Sequence, residues 1–208
     1  MNNYMSKHLK TKYIITLFIA ILFTSCATLP KATIEMSVLL EKQISVLENN
    51  HVDIINLYFE EKKSNAKTTI EKEWYPLFLE EFFKNEIVKE IWDDAVKIDS
   101  TEKRMKALKE IVQVIHEKYI EILNSVIEPL EKTHIECLTV IQEEYQKAKQ
   151  MNRAISENIA SVHNLQEARN KLIPIDIKGV ENIMYQYMQK ADNIMNEVQK
   201  TINEYRKK

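Results

Sequence analysis

The sequence predicts an all-α protein, an elongated antiparallel helical bundle or coiled coil of about five helices after a cleaved N-terminal segment. Three observations lead there. One Gly and four Pro in 208 residues leave almost nothing for the tight turns a sheet needs. Glu, Lys, Ile, Leu, Met, Gln and Ala dominate, a helical composition. Apolar residues recur at steps of three and four along most of the chain.

The first element reads as a targeting segment. Lys7, Lys10 and Lys12 form a basic start, and no acidic residue precedes Cys26. Tyr13 to Phe23 is a run of eleven residues, apolar except for Thr16. A bilayer-spanning helix needs about 20, so this run has the length of a signal-peptide core. The positive charges hold the start of the chain in the cytoplasm while the rest crosses.

The stretch Phe23-Thr24-Ser25-Cys26 resembles the lipobox of bacterial lipoproteins, with Phe23 where Leu is usual and Leu22 one position early. The resemblance covers residues 1–27 and is shared by unrelated folds, so it implies nothing about the helices. It implies removal of residues 1–25, lipidation of Cys26 with palmitate-like chains, a short tether over 26–31, and one helical domain over 32–208. Two or three acyl chains give stable membrane anchoring. Ala27 follows the cysteine; by the same resemblance, the lack of Asp there implies an outer-membrane lipoprotein facing the periplasm of a Gram-negative bacterium. An ordinary secretory signal and an uncleaved anchor are the competing readings.

The mature chain would keep 183 residues, with 26 basic against 31 acidic side chains, a net of −5. That balance gives no nucleic-acid footprint. Cys137 would be the remaining cysteine, so no intrachain disulfide is expected. Its place in a helical pattern reads as a buried thiol, with a disulfide between chains as the sharper alternative.

The first long helix is expected to bury Leu40, Ile44, Leu47, His51, Ile54 and Tyr58, a heptad seam, and to end at Lys62-Lys63-Ser64-Asn65-Ala66. Thr68 to Glu71 has capping-box spacing. The segment to Lys97 is the most aromatic, and Pro76 either opens a helix or kinks one. Asp99-Ser100-Thr101-Glu102 reads as the next break and cap. From Thr101 the seam Leu108, Val112, Ile115, Tyr119, Ile122, Val126 reaches Pro129, where a kink or break is expected. The seam continues through Leu130, His134, Leu138, Ile141, Tyr145, Ala148 and Asn152, becoming small and polar past Lys147. A linker is expected near 172–179. The last helix carries Val180, Met184, Tyr187, Ala191, Ile194, Val198, Thr201 and Tyr205.

No catalytic signature is present. A single Gly cannot build a phosphate loop, and no cysteine pair could hold a metal. One pattern remains. Glu48 with His51, and Glu131 with His134, are both Glu-x-x-His on helices, as in ferritin-like di-metal carboxylate proteins. Two polar residues fixing the register of apolar seams account for the same histidines. Trp74, Phe78, Phe82, Phe83 and Trp92 are either core or a groove for an apolar ligand or a protein partner.

The sequence therefore points to a non-enzymatic, lipid-anchored protein of the cell envelope without a cofactor. It would act as scaffold, spacer or adaptor, attached to the membrane through acyl chains on Cys26 and to a protein partner, or itself, through helix faces. The binding module with an aromatic groove is the alternative, and the di-metal protein the remote one.

Overall fold

The structure is a computed structural model; it describes residues 31–159 and 177–207, with side chains over 35–157 and 177–207. The described residues are helical almost throughout and contain no strand. The elements are α1 (Lys31–Thr69), a π-helical turn (Ile70–Trp74), α2 (Tyr75–Lys84), α3 (Glu86–Lys97), α4 (Thr101–Ile159) and α5 (Ile177–Tyr205). This is the all-α helical bundle the composition predicts. The targeting segment, Cys26 and residues 172–176 of the expected linker lie outside the described residues. Ile177 to Gly179, expected as linker, form the first turn of α5.

The chain divides into two compact units, Met1–Gln43 with Lys149–Pro174, and Ile44–Ala148 with Ile175–Lys208. In the first, the start of α1 meets the end of α4 through polar groups. The buried Asn152 donates from Nδ2 to the Ser37 carbonyl (3.0 Å), and the Ser37 hydroxyl donates to Asn152 Oδ1 (3.1 Å). Ser37 also bonds the Ser156 hydroxyl, and Arg153 pairs with Glu41 at 2.6 Å.

The second unit holds the apolar core. Cross-helix bonds fix its directions. Along α1 and the π-turn, His51, Asn56, Lys63 and Glu71 meet Tyr145, His134, Glu131 and Tyr119 of α4, so the numbers fall along α4 as they rise along α1. The two are antiparallel. Tyr58 meets Asp192 and Glu73 meets Arg206, so α1 and the π-turn run parallel to α5.

The buried stripe departs from a strict heptad. Ile44, Ile55 and Ala66 are buried at eleven-residue intervals, as are Val126, Cys137 and Ala148, and Val180, Ala191 and Ile202. Leu40 and Ile54, expected in the α1 seam, are exposed, while Ile55 and Phe59 are buried. The reason is that α1 faces two helices at once. Phe59 stacks on His134 of α4 (centroids 4.9 Å apart), while Tyr58 bonds Asp192 of α5 (2.8 Å). Val112 is likewise exposed, with Ile111 taking its place.

Three expected breaks change. Lys62 to Ala66 does not end α1: Ala66 is buried, Lys62 pairs with Asp192 (2.6 Å) and Lys63 with Glu131 (2.7 Å). Thr68, expected to cap a new helix, lies inside α1; the chain passes into the π-turn, where the Tyr75 N–H bonds the Ile70 carbonyl. That extra residue per turn comes just ahead of Pro76, whose ring would clash with a regular helical carbonyl four residues back. The true break is Asn85, in extended conformation, whose Oδ1 accepts from the N–H of Ile87 (3.0 Å) and Val88 (3.4 Å). Pro129 lies inside a continuous α4 and does not break it. The expected cap at Ser100 is present: its hydroxyl accepts from the Lys103 N–H at 3.5 Å.

Candidate functional site

The five aromatic residues singled out in the sequence form one connected ladder in the second unit. It starts at Tyr205 near the end of α5, edge-on to Trp74 (6.0 Å). Trp74 stacks on Phe78 (4.9 Å, planes 6° apart), Phe78 meets Phe82 (5.6 Å), Phe82 meets Phe83 (5.3 Å) and Phe83 meets Trp92 of α3 (5.7 Å). Each step lies in the range where ring quadrupoles attract. The ladder runs from core to surface. Trp74 is 1% exposed, Phe78 is buried, Phe82 half-buried, and Phe83 and Trp92 are 38% and 39% exposed. These residues therefore divide: Trp74 and Phe78 pack the core, and Phe83 with Trp92 present a surface.

The surface continues along α3. Its apolar residues Ile87, Val88, Ile91, Trp92, Ala95 and Val96 fall on one helical face. Of these Ala95 alone is fully buried, while Ile87 is 68% and Val96 55% exposed. Helix α3 is thus strongly amphipathic yet leaves most of its apolar face to solvent. Ile87, Ile91 and Val96 were not singled out from the sequence, although their spacing by four and five carried the signal.

Three polar rungs cross from α1 to α4. The Tyr145 hydroxyl shares a hydrogen bond with Nδ1 of His51 at 2.9 Å. Burial, and then the charges of Glu48 and Glu181, push the Tyr145 phenol up to about 12. His134 Nε2 meets Asn56 Oδ1 at 2.9 Å, while its buried Nδ1 has no partner. Burial, and then the Lys63 charge, hold the His134 imidazole below its ordinary value. Lys63 bonds both Glu131 (2.7 Å) and Glu60 (2.6 Å), which pulls the Glu131 carboxyl down.

Those rungs separate the candidate metal ligands. His51 belongs to Tyr145, His134 to Asn56 and Glu131 to Lys63, so Glu48, His51, Glu131 and His134 are not brought to one point. Among the described residues no group of three His, Cys, Asp or Glu could hold a metal ion. Cys137 is buried, and burial pushes its thiol up to about 11, far from a reactive thiolate. No described helix is long and apolar enough to cross a membrane.

Comparison with family models, curated proteins and solved structures found no match.

Proposed function

We propose that this chain is a non-enzymatic, lipid-anchored helical protein of the cell envelope that works as a scaffold or adaptor. Cys26 anchors it and the apolar face of α3 docks a protein partner or a second copy. The observation that carries the reading is α3 itself, a helix held on the bundle through Ala95 and Trp92 whose Ile87, Ile91 and Val96 remain open to solvent. Exposed apolar faces of this kind mark interaction surfaces. Tethering supports the same reading. Confinement at a membrane raises effective concentration, so a face of one short helix suffices for contact.

Two measurements test it. Intact mass of the membrane-extracted protein is expected to show acyl chains on Cys26, absent from Cys26→Ala, which leaves the membrane fraction. A photo-crosslinker placed at Ile91 in cells is expected to give a discrete adduct, and one at Lys89 a much weaker one. An unacylated chain overturns the anchor, and an Ile91 crosslinker without adducts overturns the docking face.

A further inference from the structure

Glu71, Tyr75, Leu79 and Phe83 recur every four residues from the π-turn through α2, so they share one face. Opposite them Val112, Ile115, His116 and Tyr119 share a face of α4. Between the two rows, within the second unit, lies a cavity of about 530 Å³. That is inside the range of ligand pockets, about 300–1,000 Å³. Glu71, Phe83 and His116 are exposed, so the cavity is open to solvent.

Part of the wall is aromatic and one corner is anionic. Tyr75 and Tyr119 meet edge-on, with centroids 5.6 Å apart and planes at 73°. A stacked pair covers one face of each ring, whereas the ring that offers its edge keeps both faces clear of its partner. The Tyr119 hydroxyl donates to Glu71 Oε1 at 3.1 Å, which fixes a carboxylate beside these rings. Donation to an anion also polarises the phenol and enriches its ring in electrons. Electron-rich rings next to a carboxylate attract a cation. Lys62 and Lys190 lie over Tyr58 and Tyr187; among the described residues no cation lies over Tyr75, Phe83 or Tyr119. Lys67 approaches Glu71 at 3.9 Å, a weak pair between exposed side chains.

The rest of the lining selects the kind of cation. A primary ammonium brings three N–H donors, and the Leu79, Val112 and Ile115 side chains accept none. A quaternary ammonium has no N–H to satisfy, and its methyl groups suit aliphatic and aromatic walls.

We infer that this cavity binds a trimethylammonium group, that of choline or of a choline head group, held by the Tyr75, Phe83 and Tyr119 rings and the Glu71 carboxylate. The site is separate from the α3 docking face, since its lining comes from the π-turn, α2 and α4.

The test uses the full chain with ring-¹³C tyrosine in a maltoside detergent, which carries no ammonium. It reads the Tyr75 and Tyr119 ring resonances, assigned with Tyr75→Phe and Tyr119→Phe. Choline, its uncharged carbon isostere 3,3-dimethyl-1-butanol, and ethanolamine are titrated. Expected is a saturable shift of both rings with choline, at about tenfold lower concentration than with either other probe. Glu71→Gln, which keeps an oxygen for the Tyr119 hydroxyl, is expected to raise the choline midpoint about tenfold. Dihexanoyl-phosphatidylcholine, with dihexanoyl-phosphatidylglycerol as its control, separates the two sources. A midpoint below that of choline, with no response to the glycerol lipid, assigns the group to a lipid; otherwise a choline response assigns it to a free small molecule. Rings unmoved by choline and by the choline lipid overturn the site. Equal midpoints for choline and the alcohol overturn the cation, and ethanolamine binding as well as choline overturns the methylated head. A choline midpoint unchanged in Glu71→Gln overturns the part given to the carboxylate. If a variant does not fold, the titrations of the unaltered chain still decide.

Discussion

Tyr145 and His51 meet in the core of the second unit, hydroxyl to Nδ1 at 2.9 Å, with their rings edge-on and 5.8 Å between centroids. Both side chains are buried, so neither group has water as a substitute. Tyr145→Phe is expected to destabilise the fold by about 1–3 kcal/mol, because it leaves the imidazole unpaired. Tyr145→Phe with His51→Leu is expected to cost less than the sum of the two single changes. Urea denaturation of the four proteins checks both statements.

His134 makes stability depend on pH. With Asn56 Oδ1 as acceptor, Nε2 carries the imidazole proton, and a second proton on Nδ1 would be buried without a partner. Burial and then Lys63 lower its folded value below the ordinary 6.5, against which Glu131 and Glu60 pull weakly. The unfolded chain therefore binds this proton more readily. The stabilisation is complete above about 6.5 and is lost as pH falls through the lower folded value. Expected is a fall in urea midpoint on acidifying from pH 7.5 to 5.5 that His134→Gln flattens.

Pro129 is a case where a substitution should help the fold. It sits inside α4, where a proline has no N–H for the carbonyl four residues back, that of Ser125. Pro129→Ala is expected to raise stability, by up to about 3 kcal/mol. Urea denaturation of Pro129→Ala beside the parent chain checks the gain.

The two tryptophans, at positions 74 and 92, are expected to behave oppositely. Trp74→Ala removes a fully buried ring that stacks on Phe78 and is expected to cost about 3–5 kcal/mol. Trp92→Ala, on the open face of α3, is expected to cost much less. Thermal melts compare them. Acrylamide quenching of each single-tryptophan variant is expected to reach Trp92 far more readily than Trp74.

The sequence carried the seam of the last helix, since every expected position from Val180 to Tyr205 is buried or half-buried; its first turn, Ile177 to Gly179, read as linker. That helix has one apolar stripe, and periodicity alone locates it. α1 was harder. Lys62 and Lys63 look like a solvated helix end, yet their partners Asp192 and Glu131 lie on other helices, a pairing no local pattern reveals. The break at Asn85 was missed because Asn caps a helix by geometry, and nothing in Lys84-Asn85-Glu86 distinguishes a cap from an exposed surface residue. The aromatic run announced itself by composition, but only the packing shows that Trp74 faces the core and Trp92 the surface. A cleft of about 290 Å³ between the π-turn, α4 and α5 was not legible at all, because its lining comes from three segments of the chain.

Ile115, Val126, Cys137 and Ala148 of α4 are buried at eleven-residue intervals. At 3.6 residues per turn an eleven-residue interval overruns three full turns by about 20°. The buried line therefore drifts only slowly around the helix over many turns. A single inserted residue near Tyr119 would swing everything beyond it by about 100°, turning Leu130, Ile141 and Tyr145 out of the core together. The length of this helix is therefore as tightly constrained as its composition.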